Sequence, residues 1–313
     1  MIFIPLWLFK RIIVVIVCVF APVTAIAVAP IQETAYYPES PTVNGRDIYW
    51  AEMPLDRIRR LSNGNVTTVW KEQGCGPTSV KRTAGGSYWV LCHLGHKVIR
   101  LSANFQKELE VTDDINGNRI MWPNDSTTDS KGRLFLSSSG IFSLEAPAGG
   151  YVVLVDTSGK AKRIAGPVRY ANGLSFDENR KILYLSEHLA RRILRLELDA
   201  SYAVVRTRVF FDLNQTMLAR PEFPLAGPDG QLLRKDGEII VAEYGAGRLL
   251  RVSPKGSLIG QITVPMKFVT NLIQSPFHEN ELIVTGAFNN ETFPMPGQVI
   301  SISVAKLPGT ETR

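Results

Sequence analysis

The sequence predicts an all-β protein, a six-bladed β-propeller, and three observations carry this prediction. First, one pattern recurs six times: a polar residue opens a short strand, a turn rich in Gly, Asp or Asn follows, and further apolar strands complete the unit. Second, successive copies begin between 39 and 57 residues apart, which is the spacing of four-stranded blades. Third, long helical periodicity is absent after the N-terminal segment. A pair of β-sandwiches is the main alternative, but it would not explain six similar units, whereas a closed ring also hides the sheet edges.

Each copy opens on the residue that begins the inner strand of a predicted blade. These openers are Glu39, Thr78, Asn124, Asn172, Asp229 and Asn271. The third copy contains an insertion at 141–150, after which its third strand follows as GYVVLVD. Because inner strands line the channel of a propeller, we expect the openers to form a ring around one mouth. The residues at the ends of the second strands should form the rim of that mouth, namely Glu52, His93, Ser138, Glu187, His188, Glu243 and Tyr244.

Size and charge limit the classes of partner. The chain of 313 residues is 45% hydrophobic, which is enough for a large core, and we predict one propeller domain over residues 28–313. The net charge is +6, but basic residues cluster no further than pairs such as Arg59-Arg60. We therefore expect no nucleic-acid partner.

The first 27 residues have the features of a secretory signal peptide. An apolar start, the pair Lys10-Arg11, an apolar run over 12–23 and small residues ending at Ala27 occur in that order. We predict cleavage near Ala27, and an uncleaved N-terminal anchor is the alternative. Either way the folded part is expected to be exported, to the periplasm or outside the cell, with no other membrane contact.

Cleavage would remove Cys18 and leave Cys75 and Cys92 in an oxidising compartment. The two flank one predicted hairpin, whose turn lies near Gly85-Gly86, so antiparallel pairing would bring them close together. We predict a structural disulfide between them. Two buried free thiols and a metal-binding pair are the alternatives.

The chemistry of the ring indicates a cation site. Its carboxylates and amides offer hard oxygen ligands, which suit Ca²⁺, Mg²⁺ or Mn²⁺ better than a structural zinc site. The alternative is that Asn-Gly and Asp-Gly are merely frequent turn residues. His93 and His96, spaced as HLGH on a turn, do not have the helical spacing of a metal-binding pair.

Several short segments together resemble a known family. They are PES from Pro38, PND from Pro123, ANGLSF from Ala171, GPDG from Gly227, VAEYGAGRLLRV from Val241 and TNL from Thr270. Their order, at blade spacing over about residues 36–310, is similar to that of the gluconolactonase, regucalcin (senescence marker protein) and luciferin-regenerating enzyme family. The resemblance implies a six-bladed propeller that hydrolyses a small lactone with one divalent metal ion, Ca²⁺ being our first choice and Zn²⁺, Mn²⁺ or Mg²⁺ the alternatives.

The resemblance also implies roles for individual residues. Glu39, Asn172 and Asp229 would ligate the metal, and Asn124 would add a substrate-binding or water-mediated contact. In the implied mechanism the metal polarises the lactone carbonyl, while Asp229 acts as general base on the attacking water.

Three further residues are predicted to contact the substrate: Trp122, Asp125 and His188. Trp122 stands where several lactonases of the family carry an Arg that contacts sugar hydroxyls, so a flatter or more apolar lactone is indicated. For Glu187 and Glu243 on the predicted rim, the alternative is pairing with Arg191, Arg192 or Arg248 across their hairpins.

Two other functions remain open at this stage. The chain could be a propeller that binds a ligand or protein without catalysis. It could also resemble the strictosidine-synthase-like propellers, which perform a condensation without metal, although Glu39 and Asp229 argue against this. The sequence contains no serine-nucleophile elbow, zinc-protease helix, phosphate loop or dinucleotide fingerprint.

Overall fold

The computed structural model describes residues 28–304, which form six four-stranded antiparallel sheets arranged as the blades of a propeller. The predicted fold class is therefore confirmed. The only helices among these residues are three single turns of 3₁₀ helix, Met53–Leu55, His188–Ala190 and Leu213–Gln215. Within residues 28–304 no helix has the length and apolar character needed to cross a membrane. The predicted leader, residues 1–27, lies outside the described residues.

The first three blades follow one another along the chain, each as a simple meander. Blade 1 contains β2 Pro38–Asn44, β3 Asp47–Glu52, β4 Arg57–Ser62 and β5 Asn65–Lys71. Blade 2 contains β6 Pro77–Arg82, β7 Tyr88–Cys92, β8 Lys97–Leu101 and β9 Lys107–Val111. Blade 3 contains β10 Pro123–Thr128, β11 Leu134–Ser138, β12 Gly150–Val155 and β13 Ala161–Val168.

The remaining blades complete the ring, and the last one borrows a strand from the start of the described chain. Blade 4 contains β14 Ala171–Asp177, β15 Ile182–Glu187, β16 Arg192–Leu198 and β17 Val204–Asp212. Blade 5 contains β18 Gly227–Leu233, β19 Ile239–Tyr244, β20 Arg248–Val252 and β21 Leu258–Thr263. Blade 6 contains β22 Phe268–Gln274, β23 Glu281–Ala287, β24 Pro296–Ser303 and, as its outer strand, β1 Val28–Tyr36. The pairing of β1 with β24 closes the ring.

The core lies between the blades. Six hydrophobic clusters of the described residues fill the six gaps between neighbouring blades. Trp50 is fully buried in the gap between blades 6 and 1, and Trp89 in the gap between blades 2 and 3. Full burial of a large apolar side chain stabilises the fold by about 1.5–3 kcal/mol. The channel is thus held open by apolar contacts that lie outside it.

A β-bulge interrupts the inner strand of every blade near its opener. The register shifts lie between residues 39 and 42, 77 and 79, 123 and 126, 171 and 174, 228 and 231, and 269 and 271. A bulge bends a strand and re-aims its side chains. Because the bulges occupy equivalent positions, they give the start of every inner strand a similar geometry at one mouth of the channel.

A disulfide joins Cys75 to Cys92, with their Cα atoms 4.5 Å apart. Cys75 precedes β6 and Cys92 ends β7, and both side chains are fully buried. The bond therefore ties the loop that enters blade 2 to the mouth end of its second strand.

Candidate active site

A cavity of about 220 Å³ opens at the mouth where the inner strands begin. Its lining residues are Tyr37, Glu39, Met53, Asn124, Phe142, Tyr170, Asn172, His188, Asp229, Tyr244, Asn290 and Met295. Four of the six predicted openers are among them. The volume is below the range of about 300–1,000 Å³ typical of sites for drug-sized ligands, so it suits a small molecule.

The other two openers, Thr78 and Asn271, do not line the cavity because their side chains bond to backbone. The hydroxyl of Thr78 donates to the carbonyl oxygens of Pro123 and Asn124, at 3.2 and 2.7 Å. The Oδ1 atom of Asn271 accepts a hydrogen bond from the backbone N–H of Leu272 at 2.8 Å. Both residues hold strands in place and leave the chemistry of the cavity to the other four.

Glu39 and Asp229 bring two buried carboxyl groups into the same cavity, with side chains only a few per cent exposed. Burial raises the pKa of Glu39 well above its usual value, and repulsion from Asp229 and Asp125 raises it further. Burial likewise raises the pKa of Asp229, with a further contribution from Asp125. A cation bound between the two carboxylates would relieve both effects.

Asn172 supplies a third oxygen beside this pair. Its side chain is buried and hydrogen-bonds to the carboxyl group of Asp229, while its Oδ1 atom has no hydrogen-bond partner. A buried carbonyl oxygen without a donor is costly unless something occupies it. Two carboxylates and an amide oxygen form a donor set that fits a hard divalent cation. No group of three or more His, Cys, Asp or Glu side chains in residues 28–304 offers a different metal site.

Asp125 adjoins Asn124 in sequence but does not line the cavity. Its Oδ1 atom accepts a hydrogen bond from the Ser40 hydroxyl, and its Oδ2 atom accepts one from the backbone N–H of Leu174, both at 3.1 Å. Asp125 thereby links the inner strands of blades 1, 3 and 4. The structure places this predicted substrate contact inside the scaffold that supports the site.

Trp122 also lies outside the cavity lining. Its backbone φ of +45° is in the left-handed region, and its ring meets that of His96 edge-on, with the centroids 5.4 Å apart. The backbone N–H of Trp122 donates to Nδ1 of His96 at 3.1 Å. The structure therefore places the indole against the HLGH turn and not over the cavity.

His188, in contrast, lines the cavity, at the start of the 3₁₀ turn that follows β15. Burial lowers the pKa of its imidazole to about 4, so the ring is neutral near pH 7. Nε2 lies 3.0 Å from the carbonyl oxygen of Leu225, which assigns the proton to Nε2. Nδ1 is then an acceptor, and it has no hydrogen-bond partner.

The three glutamates of the predicted rim, Glu52, Glu187 and Glu243, form ion pairs with arginines in the same way in three blades. Each ends a second strand and pairs with the Arg that begins the third: Glu52 with Arg57, Glu187 with Arg192, and Glu243 with Arg248. The expected pairing of Glu187 and Glu243 with arginines across their hairpins is thus what the structure contains. These ion pairs brace the hairpins, and none of the six residues lines the cavity.

The sequence pattern predicted Tyr244 and His188 on the rim of this mouth, but it did not indicate Tyr37, Phe142 and Tyr170, which complete an aromatic wall of the cavity. Phe142 comes from the insertion in blade 3, and its ring centroid lies 4.8 Å from that of Tyr170 and 5.4 Å from that of His188. The hydroxyl of Tyr37 donates to that of Tyr244 at 3.0 Å. Tyr37, Trp122 and Tyr170 each stand two residues before an opener and each has a positive φ, but only the two tyrosines line the cavity. The repeat register alone therefore did not identify them.

Comparison with known proteins gives a consistent picture. A family model described as "SMP-30/Gluconolactonase/LRE-like region" matches residues 37–288. A 6-deoxy-6-sulfogluconolactonase of Pseudomonas putida is 24% identical over 276 residues, which cover 86% of this chain and 90% of the relative. The range matched by the family model, residues 37–288, includes every residue that lines the cavity except Asn290 and Met295.

Two solved structures share the fold. A gluconolactonase from Xanthomonas campestris superposes with a TM-score of 0.72 at 19% identity, covering 89% of each chain. Regucalcin from Agrobacterium tumefaciens, described as a calcium-binding protein, superposes with a TM-score of 0.70 at 19% identity, covering 89% of this chain and 95% of that one. At 19% identity these two similarities support the fold alone.

Proposed function

Because the chain belongs to the SMP-30/gluconolactonase/LRE-like family, we propose that it is a metal-dependent hydrolase that opens a small lactone. The observation that carries the proposal is the convergence of Glu39, Asn124, Asn172 and Asp229 on one cavity. The relative from Pseudomonas putida is named as a lactonase, which supports the same reaction class.

We propose Glu39, Asn172 and Asp229 as the ligands of one divalent cation. The unpaired Oδ1 atom of Asn172 and the raised pKa values of the two carboxyl groups support this assignment. Ca²⁺ suits an all-oxygen donor set best, and the calcium-binding regucalcin supports it, with Zn²⁺, Mn²⁺ and Mg²⁺ as the alternatives. Such a cation would polarise the lactone carbonyl as a Lewis acid.

In the proposed reaction Asp229 is the general base. It accepts a proton from water as the water oxygen bonds to the carbonyl carbon of the lactone. The bond from that carbon to the ring oxygen then breaks, and the ring oxygen receives the proton back from Asp229, which yields a hydroxy acid. Asn172 orients the Asp229 carboxyl through its hydrogen bond, and we propose that Asn124 holds the substrate from the next blade.

We further propose that the protein is exported, to the periplasm or outside the cell, under the direction of residues 1–27. The disulfide between Cys75 and Cys92 supports this location, because structural disulfides persist mainly in oxidising compartments.

Steady-state hydrolysis of a panel of lactones tests the reaction, with each of the four metals and after chelation. We expect Asp229→Asn to lower kcat by about 10²–10⁴-fold, the contribution of a positioned general base. Asp236→Asn, on the exposed turn between β18 and β19 of the same blade, is the matched control and should retain the rate. Full activity of Asp229→Asn would exclude the assigned base, and failure to open any lactone with any metal would exclude the hydrolase.

A further inference from the structure

The outer part of the cavity is an aromatic enclosure. We give this name to the side chains of Phe142, Tyr170, His188 and Tyr244. Phe142 lies edge-on to Tyr170, His188 and Tyr244, at centroid distances of 4.8, 5.4 and 6.3 Å. His188 lies 5.7 Å from both tyrosine rings. Aromatic rings pack favourably with further rings at such distances, so the enclosure suits a flat, apolar group.

No cationic side chain lines the cavity, although the charge of Lys81 on β6, outside the lining, acts on Glu39 in the direction that lowers its pKa. Within the described residues 28–304, none of those lining the cavity is Lys or Arg, and its one histidine is neutral. The guanidinium groups of two nearby loop residues each donate to a backbone carbonyl oxygen, Arg191 through Nη1 to that of Arg220 and Arg169 to that of Leu144. Neither residue lines the cavity, although Nε and Nη2 of Arg191 have no hydrogen-bond partner. An anionic substrate would face Glu39 and Asp229 and would meet no guanidinium or ammonium group among the residues that line the cavity.

Exposed apolar side chains continue the enclosure outward. Ile141 is 57% exposed and Leu144 is 40% exposed, both on the insertion that carries Phe142. Phe223 and Leu225, on the loop that enters blade 5, are 42% and 45% exposed. Leu225 is the residue whose carbonyl oxygen accepts from His188, so this loop reaches the enclosure. A cluster of exposed apolar side chains beside a cavity indicates a surface for an apolar ligand.

Building on the proposed lactonase function, we infer that the substrate is an uncharged lactone bearing an aromatic group. The aromatic group occupies the enclosure formed by Phe142, Tyr170, His188 and Tyr244, while the ester points inward to Glu39, Asn172 and Asp229. The relative from Pseudomonas putida is named for a lactone that carries a sulfonate. This cavity offers such an anion no basic side chain, so the two proteins should differ in substrate.

Phe142 is the residue that tests this inference most directly. Its side chain is 38% exposed and lies on a connection between strands, so its loss removes the outer wall of the cavity without opening the core. Phe288 is a matched control, because it is 43% exposed on the corresponding connection of blade 6 and does not line the cavity.

The experiment measures kcat and KM for dihydrocoumarin, glucono-δ-lactone and the sulfonated 6-deoxy-6-sulfogluconolactone, all with the same metal. We expect kcat/KM to be at least about tenfold higher for dihydrocoumarin, which corresponds to an activation free energy lower by about 1.4 kcal/mol relative to free enzyme and substrate. Phe142→Ala should raise KM for dihydrocoumarin about tenfold, because the ligand loses its contact with the ring, and kcat should change less. Phe288→Ala should change neither value.

The outcomes separate this inference from the proposed function. A preference for either sugar lactone, or equal effects of Phe142→Ala and Phe288→Ala, would overturn the inference and leave the lactonase intact. If no lactone is hydrolysed, the proposed function fails, and binding of unreacted dihydrocoumarin to the same variants by calorimetry decides the ligand class. Binding that weakens in Phe142→Ala but not in Phe288→Ala supports an aromatic ligand. If dihydrocoumarin does not bind, the inference of an aromatic ligand is overturned.

Discussion

A Cβ atom on Gly173 would lie 2.0 Å from the carbonyl oxygen of Asp229, in the inner strand of the next blade. Gly230 repeats the arrangement one blade later, because a Cβ atom there would lie 2.2 Å from Cγ of Asn271. Neither glycine has a left-handed φ. The Asn-Gly and Asp-Gly pairs of the ring are therefore required by the close approach of neighbouring inner strands, and not by a turn.

Gly173→Ala should destabilise the fold. The methyl group cannot be accommodated without moving the backbone at Asp229, and overpacking of this kind costs about 1–3 kcal/mol. Urea denaturation measures the loss in free energy of unfolding. Gly85→Ala is the control, since the nearest atom to its added methyl would be 3.8 Å away. Equal stability of the two variants would show that the inner strands can separate at no cost.

Asn172→Ala should weaken metal binding, whereas Asn271→Ala should not. The Oδ1 atom of Asn172 is free to coordinate, while that of Asn271 already accepts from the Leu272 N–H. We expect the dissociation constant of the divalent cation to rise at least about tenfold for Asn172→Ala, since even the loss of a residue that only orients a ligand has this effect. Isothermal titration calorimetry measures this dissociation constant, with protein from which a chelator has removed bound metal. A larger loss in Asn271→Ala would reverse the assignment.

The protein should lose stability in mild acid through His188. Burial lowers the pKa of this imidazole to about 4, so the folded state binds its proton less readily than the unfolded chain does. The stabilisation is present above the ordinary histidine pKa and is lost as pH falls from about 6.5 towards about 4, by at most about 3 kcal/mol.

The measurement is the free energy of unfolding against pH for the wild type and for His188→Gln, whose amide can still donate to Leu225. The wild type should lose more stability on acidification than this variant. His278→Gln, at an exposed position, is the matched control. If the free energies of unfolding of the wild type and of His188→Gln change with pH in parallel, the imidazole of His188 is protonated in the folded state without loss of stability.

Removal of the disulfide should destabilise the protein without unfolding it. The bond spans a sequence separation of 17 residues, and a loop of that length restricts the unfolded chain by about 3 kcal/mol. Urea denaturation of the double variant Cys75→Ser/Cys92→Ser should show this loss, and a reducing agent should lower the stability of the wild type alone. Unchanged stability in the double variant would show that the bond does not stabilise the fold by restricting the unfolded chain.

Much of the architecture could be predicted because it rests on repetition. The blade count and the openers follow from spacing, and four of the six openers line one cavity. The bulges were not predictable, since a register shift leaves no fixed mark in a single strand. Asn124 and Asp125 both lie within the shift between Pro123 and Ser126: the side chain of Asn124 lines the cavity, while that of its neighbour Asp125 bonds within the scaffold.

Two side chains, Trp122 outside the cavity wall and Phe142 within it, illustrate the limit of pattern reasoning. Trp122 was expected near the substrate from its place in the sequence, but the side chain of a residue with positive φ takes a direction that neighbouring residues do not reveal. Phe142 lies in a connection without strand or helix periodicity, so no pattern places it in space. Its position depends on the rings it meets, and these come from two other blades.

The pairing of β1 with β24 has a consequence for the order of events when the protein is made. Of the described strands, β1 leaves the ribosome first and β24 last, so the first must wait for nearly the whole chain before its partner exists. A contact between such distant parts of the chain is slow to form. During that delay β1 stays unpaired and can pair with other chains, and the ring closes only when β1 pairs with β24.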